Sequence, residues 1–226
     1  MIRIDNTEVF GWEVAIRGMR NPMNSWDKSD SFDCAKTKCI ECELYMANGC
    51  DHITDFVIGE NDLKLMKNLS RAGNDHGKFL RMINVTCDIT APLYWYKEYD
   101  TYKVGTVANS CSTMHKIHAK EFELDDFSRE HLVPLALHVL GKIIGNLNLY
   151  REKFLETKDK KWWWQMIQLL PSSYNQKRTV QLNYQVLKTM YHARKNHKLD
   201  EWHEFCAWCE SLPYFKEICL GGSNEL

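Results

Sequence analysis

The stretch LRMINVTCDITAPLYWYKEYDTYKVGTVANSCSTMHKIH, Leu80–His118, carries three successive patterns. Ile83, Val85, Cys87 and Ile89 alternate with Asn84, Thr86, Asp88 and Thr90, a period of two that predicts a half-buried strand. Thr90 is then placed to cap a helix whose second residue is Pro92, where a missing N–H costs little, and Leu93, Tyr94, Trp95 and Tyr96 open its aromatic body. GTVANSCSTMH comes next, with hydroxyls, an amide, a thiol and an imidazole in one short run. Such a density of small polar groups suits a site for a polar ligand, and it equally suits a solvated loop with an edge strand.

Downstream, the periodicity is helical. Leu132, Leu135, Val139, Leu140, Ile143, Ile144, Leu147 and Tyr150 predict a long amphipathic helix from about Glu130 to Phe154, and KKWWWQMIQLLP predicts a second one stopped by Pro171. Trp162, Trp163 and Trp164 cannot share one helix face, so at least one must contact another element or another subunit. Val180 and Leu182 mark a strand, Asn183 is placed to cap the helix YQVLKTMYHARK, through Lys195, and a last helix carries Cys206 and Cys209 on one face, where core packing explains both thiols.

Upstream, residues 2 to 16 predict a short strand or two leading into VAIRGMRNPMNSWDKSDS. Arg17 and Arg20, three apart on a helical turn and followed by Asn and Ser, suit a phosphate or carboxylate; a helix end with solvated arginines is the alternative. Cys34, Cys39, Cys42 and Cys50, with His52 close behind, match the demand of a tetrahedral zinc site for clustered thiolates. Inert reduced thiols in an inserted loop are the plain alternative, and the opening spacing also occurs in iron–sulfur proteins. From Glu60 a helix is predicted, with Asn61 as its cap, Leu63, Leu65, Met66 and Leu69 as its apolar positions and Gly73 at its end. His76 then lies in the short NDHGKF linker, from which a side chain can reach a ligand.

The chain has 226 residues, 29 Lys plus Arg against 30 Asp plus Glu, and that balance argues against nucleic-acid binding, which rests on a basic surface. Its first residues, MIRIDNTEVFGWEV, lack the apolar run of a secretory signal, and nothing approaches the roughly 20 apolar residues of a membrane span. A cytoplasmic protein with no membrane partner, its nine cysteines reduced or metal-bound, is therefore expected. No repeat or Gly- or Pro-rich linker divides it, so a single domain over 1–226 is expected, with a cysteine-rich insertion at about 32–56.

The order of elements resembles the flavin-dependent thymidylate synthase (ThyX) family. Ala91-Pro92 stands where the family opens a helix with Ala-Pro; Thr101-Tyr102-Lys103 occupies its Arg-His-Arg triplet; seven residues on, Cys111 takes the signature serine. His76 falls on the family's flavin-contacting histidine, VAIRGMR resembles its Val-Arg-Ala-Ala-Arg segment, and Leu170-Pro171, Asn183 and Arg194 keep its spacing. Departures are concentrated in the signature: both triplet arginines are gone, leaving Lys103 as a cation, Thr113 and Ile167 replace further arginines, and Asn109 replaces an acidic residue. Thr and Lys lack the planar two-pronged fork that arginine offers a phosphate.

The resemblance implies an α+β fold with a small antiparallel sheet flanked by long helices, a homotetramer, and sites at subunit junctions. It implies FAD held by His76, Asn183 and Arg17 or Arg20, with NADPH and methylenetetrahydrofolate as co-substrates for reductive methylation of dUMP or a related pyrimidine nucleotide. Arg194, Lys103 and Asn109 then face the nucleotide substrate, and Cys111, Lys103 and Ser112 stand at the reacting positions. Cys111 reads two ways, as a nucleophile toward an electron-poor ring or as a packing substitute for serine. The altered signature also suits a non-catalytic nucleotide- or flavin-binding protein, or an assembly protein with a structural zinc.

Overall fold

The computed structural model describes residues 1–33 and 56–221. In chain order the elements are β1 (Arg3–Phe10), α1 (Trp12–Arg20), β2 (Phe32–Asp33), β3 (Phe56–Val57), α2 (Glu60–Arg71), β4 (Asn84–Pro92), α3 (Leu93–Tyr99), β5 (Val107–Ser110), α4 (Pro134–Thr157), α5 (Lys160–Leu169), β6 (Asn175–Asn183), α6 (Tyr184–Arg194), α7 (Asp200–Ser211) and α8 (Phe215–Cys219). The fold is α+β, with a small antiparallel sheet ordered β1-β4-β6-β5. The chain divides into two compact units, one of Met1–Thr7, Thr86–Gln181 and Asn196–Phe205, the other of Glu8–Val85, Leu182–Lys195 and Cys206–Leu226.

The alternation in β4 is realised: Ile83, Val85, Cys87, Ile89 and Ala91 are buried and the residues between them half-buried. The strand starts at Asn84, because Gly77–Arg81 forms a tight helical turn that buries Phe79 and Leu80. It runs on through Pro92, so Thr90 does not cap α3. The first free N–H groups of that helix, on Leu93 and Tyr94, donate instead to the backbone carbonyls of Tyr174 and Ser172 at 3.0 Å each. A neighbouring segment thus does what a cap would do.

In the first unit, Trp95 is buried against Trp202 (centroids 4.8 Å), Tyr99 and Phe205. A second cluster joins Leu140, Ile144 and Leu147 of α4 to Met166 of α5, Ile117, Phe122 and Phe127. Helix α4 opens at Pro134 and not at Glu130, since proline's fixed φ and missing N–H suit the first helical position. The three tryptophans separate as their spacing requires. Trp162 stacks on Tyr150, Trp163 donates its indole N–H to the Met114 carbonyl at 2.9 Å, and Trp164 stays 42% exposed.

In the second unit, Trp12, Ala15, Ile16 and Met19 form the buried face of α1, and Leu187 and Met190 that of α6. Helix α2 buries Asp62, Met66 and Ser70 on one face. Its cap is not Asn61: Gly59 holds that position, and the Asp30 carboxylate accepts the N–H groups of Asn61 (2.9 Å) and Asp62 (3.1 Å) from outside the helix. Cys206, Cys209 and Cys219 are buried here, and burial pushes the Cys206 thiol up to about 11. Core packing accounts for them.

Candidate functional site

The polar run after α3 becomes an edge strand. β5 pairs antiparallel with β6, Asn109 opposite Thr179 and Ser110 opposite Arg178, and all four of its residues are exposed. Pairing continues past the strand, where the Cys111 N–H donates to the Lys177 carbonyl at 2.9 Å and Gln176 Nε2 donates to the Cys111 carbonyl at 2.7 Å. Ser112 Oγ then accepts from the N–H groups of Met114 (3.2 Å) and His115 (2.9 Å), closing a hydroxyl-capped turn. Trp163 on the Met114 carbonyl and Arg151 on the His118 carbonyl (3.1 Å) moor the chain from Met114 to His118. The Cys111 side chain remains exposed. Lys103 is exposed in the preceding turn, where Thr101 and Thr106 spend their hydroxyls on the carbonyls of Glu98 and Tyr102.

Arg178 escaped the sequence reading. Its guanidinium lies over the Tyr96 ring at 3.7 Å, donates to Asp100 at 2.7 Å and to Gln176 at 3.0 Å, and stands in register with Ser110. Position in the alternation of β6 was the available signal. On the same sheet, Asp88 accepts from Lys177 (2.8 Å), Thr179 (2.6 Å) and Asn6 (2.9 Å), and these contacts, Lys177 first, hold its carboxyl well below the usual range.

The second unit carries His76, Asn183, Arg194, Arg17 and Arg20. His76 sits exposed on the turn after Gly73, whose φ of +101° favours glycine. Asn183 does cap α6: its Oδ1 accepts the Val186 N–H at 3.1 Å, and the two N–H donors of the same amide are not used by the cap. Arg194 is the last, half-buried residue of α6.

Arg17 and Arg20 have opposite surroundings. Arg20 is 4% exposed, with Nε on Asp62 Oδ1 at 2.7 Å, Nη1 on the Ser25 carbonyl and Nη2 on the Lys28 carbonyl, each at 3.0 Å. Asp62 Oδ2 meanwhile accepts from the hydroxyls of Ser29 and Ser31 at 2.7 Å each and from the N–H groups of Asp30 and Ser31 at 3.2 Å each. Burial alone would raise this carboxyl, but the bonds from Ser31, Ser29 and Arg20 outweigh it and hold Asp62 below its ordinary value. Arg17 is exposed and forms no ion pair with another described residue. Beside it opens a cavity of about 390 Å³ lined by Glu13, Ile16, Arg17, Arg20, Trp26, Ser29, Ser31, Phe32, Asp33 and Phe56. Asp62 is thus a hub the sequence did not disclose, fixing three residues of the cavity wall from behind.

Cys34, Cys39, Cys42 and Cys50 lie outside the described residues. The segment holding them is flanked by β2 and β3, which pair antiparallel with Phe32 opposite Val57 and Asp33 opposite Phe56. Among the described residues no group of three or more His, Cys, Asp and Glu is placed to hold a metal. No helix among them is long and apolar enough to cross a membrane.

The architecture is that of the ThyX class of fold. Two crystal structures of the flavin-dependent thymidylate synthase ThyX from Helicobacter pylori, each with FAD and dUMP, match it end to end: one with a TM-score of 0.63, 17% identity and coverage of 96% of this chain and 97% of that one, the other with 0.62, 16%, 97% and 97%. No family model and no curated protein matches the chain. At this identity the likeness defines the fold, and activity has to be argued from residues.

Proposed function

We propose that the protein is an FAD-dependent enzyme of the thymidylate synthase type, which reductively methylates dUMP or a related pyrimidine nucleotide with methylenetetrahydrofolate and NADPH as co-substrates. The observation that carries this reading is the ThyX-like fold over 96% of the chain, matched to structures in which FAD and dUMP are bound.

The residues present fit a flavin. An asparagine that caps with its oxygen keeps both N–H donors for the carbonyl edge of a ring, which a Ser or Asp cap cannot offer. His76 presents an exposed imidazole from a turn fixed by Gly73, and Arg17, unlike Arg20, has its fork available for a phosphate. FAD, when bound, supplies hydride transfer, which side chains cannot perform. Arg194, Lys103 and Asn109 are assigned to the nucleotide, with Lys103 and Asn109 exposed along the turn and edge strand that lead to Cys111. The Cys111 thiol, exposed on a backbone tied at both its N–H and its carbonyl, is available as a nucleophile, and Ser112 holds the turn beside it.

A second reading has its own observation. Where the family carries arginines, Thr101 spends its hydroxyl closing the end of α3 and Thr113 offers no charge, which favours a protein that binds flavin or nucleotide without turnover, with zinc on Cys34, Cys39, Cys42 and Cys50 as a structural element. One preparation separates the two. A flavin spectrum together with dUMP-dependent NADPH oxidation supports the enzyme; a flavin spectrum with no oxidation supports the binding protein. The assembly proposed is a homotetramer, with Trp164 among its interface residues, and a monomer by light scattering at micromolar concentration would refute it.

A further inference from the structure

We infer that the end of the polar run and the C-terminal end of α4 together bind a phosphoryl anion of two or more negative charges, held by Lys116, His118, Arg151 and Lys158. This rests on none of the residues assigned above to flavin or nucleotide. Three observations carry it. First, the basic groups converge. Arg151 and Phe154 lie three apart on α4, and Arg151 Nε donates to the His118 carbonyl at 3.1 Å. The His118 ring meets Phe154 edge to face at 4.8 Å between centroids, and Lys158 Nζ stands over the same Phe154 ring at 6.0 Å. Lys116 is exposed two residues before His118, with the buried Ile117 anchoring the chain between them. The small polar groups of Val107–His118 are spent on its own turns, so a ligand falls to the cations at its end.

Second, no carboxylate meets these charges. Lys116, Arg151 and Lys158 form no ion pair with a described residue, and Arg151 bonds through Nε alone, which leaves both of its terminal nitrogens without a partner among the described residues. The neighbouring carboxylates are engaged elsewhere: Glu156 pairs with Lys153, Asp159 with Lys161, and Glu121 accepts from Asn148. The exposed Glu152 is bonded to none of the four. Burial, and then the charges of Lys116, Lys158 and Arg151, hold the His118 imidazole below its usual range, so it is neutral at pH 7. Its Nδ1 is buried with no partner, which assigns the single proton to Nε2 as one more donor. Third, Lys158 takes a φ of +56° where α4 ends, a conformation that glycine adopts without cost. A lysine there places a charge beside Phe154 at the expense of the backbone. One guanidinium fork, two ammonium groups and an imidazole N–H match the several oxygens of a phosphoryl group, and the three fixed positive charges suit a diphosphate better than a monophosphate.

Titration of the full chain with inorganic phosphate, inorganic diphosphate and a thymidine oligonucleotide, at fixed ionic strength in chloride, tests the assignment. Diphosphate should bind about tenfold or more tightly than phosphate. Lys116→Gln and Lys158→Gly should each weaken diphosphate by about tenfold, and both spare the bond from Arg151 to the His118 carbonyl. Lys158→Gly should at the same time melt at a higher temperature, because glycine relieves the positive φ. A lysine serving the helix end alone would change the melt and leave affinity untouched. FAD uptake should be the same in Lys158→Gly and in the unaltered chain. No binding of either inorganic anion, or equal diphosphate affinity in Lys158→Gly and the unaltered chain, would overturn the inference. So would tighter binding of the oligonucleotide than of diphosphate, which makes the ligand a polymer backbone, and so would parallel loss of FAD and diphosphate, which makes the cluster part of a flavin site.

Discussion

The run from Val107 to His118 and the segment from Arg17 to Asp33 are both rich in small polar residues, and they end differently. In the first, the side chains serve local structure: Ser112 closes a turn, the Met114 and His118 carbonyls are moored by Trp163 and Arg151, and the strand Val107–Ser110 lies exposed at a sheet edge. In the second, one buried carboxylate gathers Arg20, Ser29 and Ser31 from behind, and what remains in front is a cavity with one guanidinium to spare. Density of polar groups does not make a site. A polar segment becomes one when a buried partner consumes some of its groups and leaves others facing a concavity.

The largest effect that would sharpen this contrast is loss of the hub. Asp62→Ala leaves the buried Arg20 cation without its counter-charge and should cost about 3–5 kcal/mol in urea unfolding. Wild-type stability should follow the same carboxyl in acid. Because the folded value lies below the unfolded one of about 3.9, its contribution is present above that pH and disappears as pH falls through the depressed folded value. Next in size, Asn183→Ala removes a cap and should cost about 1 kcal/mol, whereas Asn183→Asp keeps the cap and loses only the amide N–H donors. Asp at this position should therefore match wild type in thermal melts but take up FAD more weakly; equal loss in both variants would mean the amide serves the helix alone.

Smaller effects belong to the edge segment. Ser112→Ala should cost about 0.5–1 kcal/mol by releasing the turn at Met114 and His115, with no change in ligand binding by the second unit. Smallest of all, Arg17→Gln should shift stability by no more than about 0.5 kcal/mol, since its guanidinium pairs with no other described residue, and its effect should be confined to FAD uptake. A stability loss comparable to that of Asp62→Ala would erase the distinction between the two arginines.

What was legible in the sequence depended on range. Alternation through Ile83 to Ile89, the stop at Pro171 and the cap at Asn183 rest on neighbours along the chain, and each is present as read. Caps supplied from elsewhere were not legible. Thr90 and Asn61 carry the right side chains at the right offset, yet the helix starts they precede are satisfied by the Ser172 and Tyr174 carbonyls and by Asp30. The same holds at the candidate site. Arg17 and Arg20 are equivalent in sequence, and only the fold, by bringing Asp62 against Arg20, decides which one is available. Arg178 was hidden for a related reason: its place in the alternation of β6 was readable, but its register opposite Ser110 is a property of strand pairing.

The visible absorption spectrum of the purified full chain, before and after titration with FAD, tests the central claim most directly. The account predicts flavin absorbance that persists in Cys111→Ser and is weakened in His76→Ala and Asn183→Asp. A colourless protein that takes up no added FAD would contradict it.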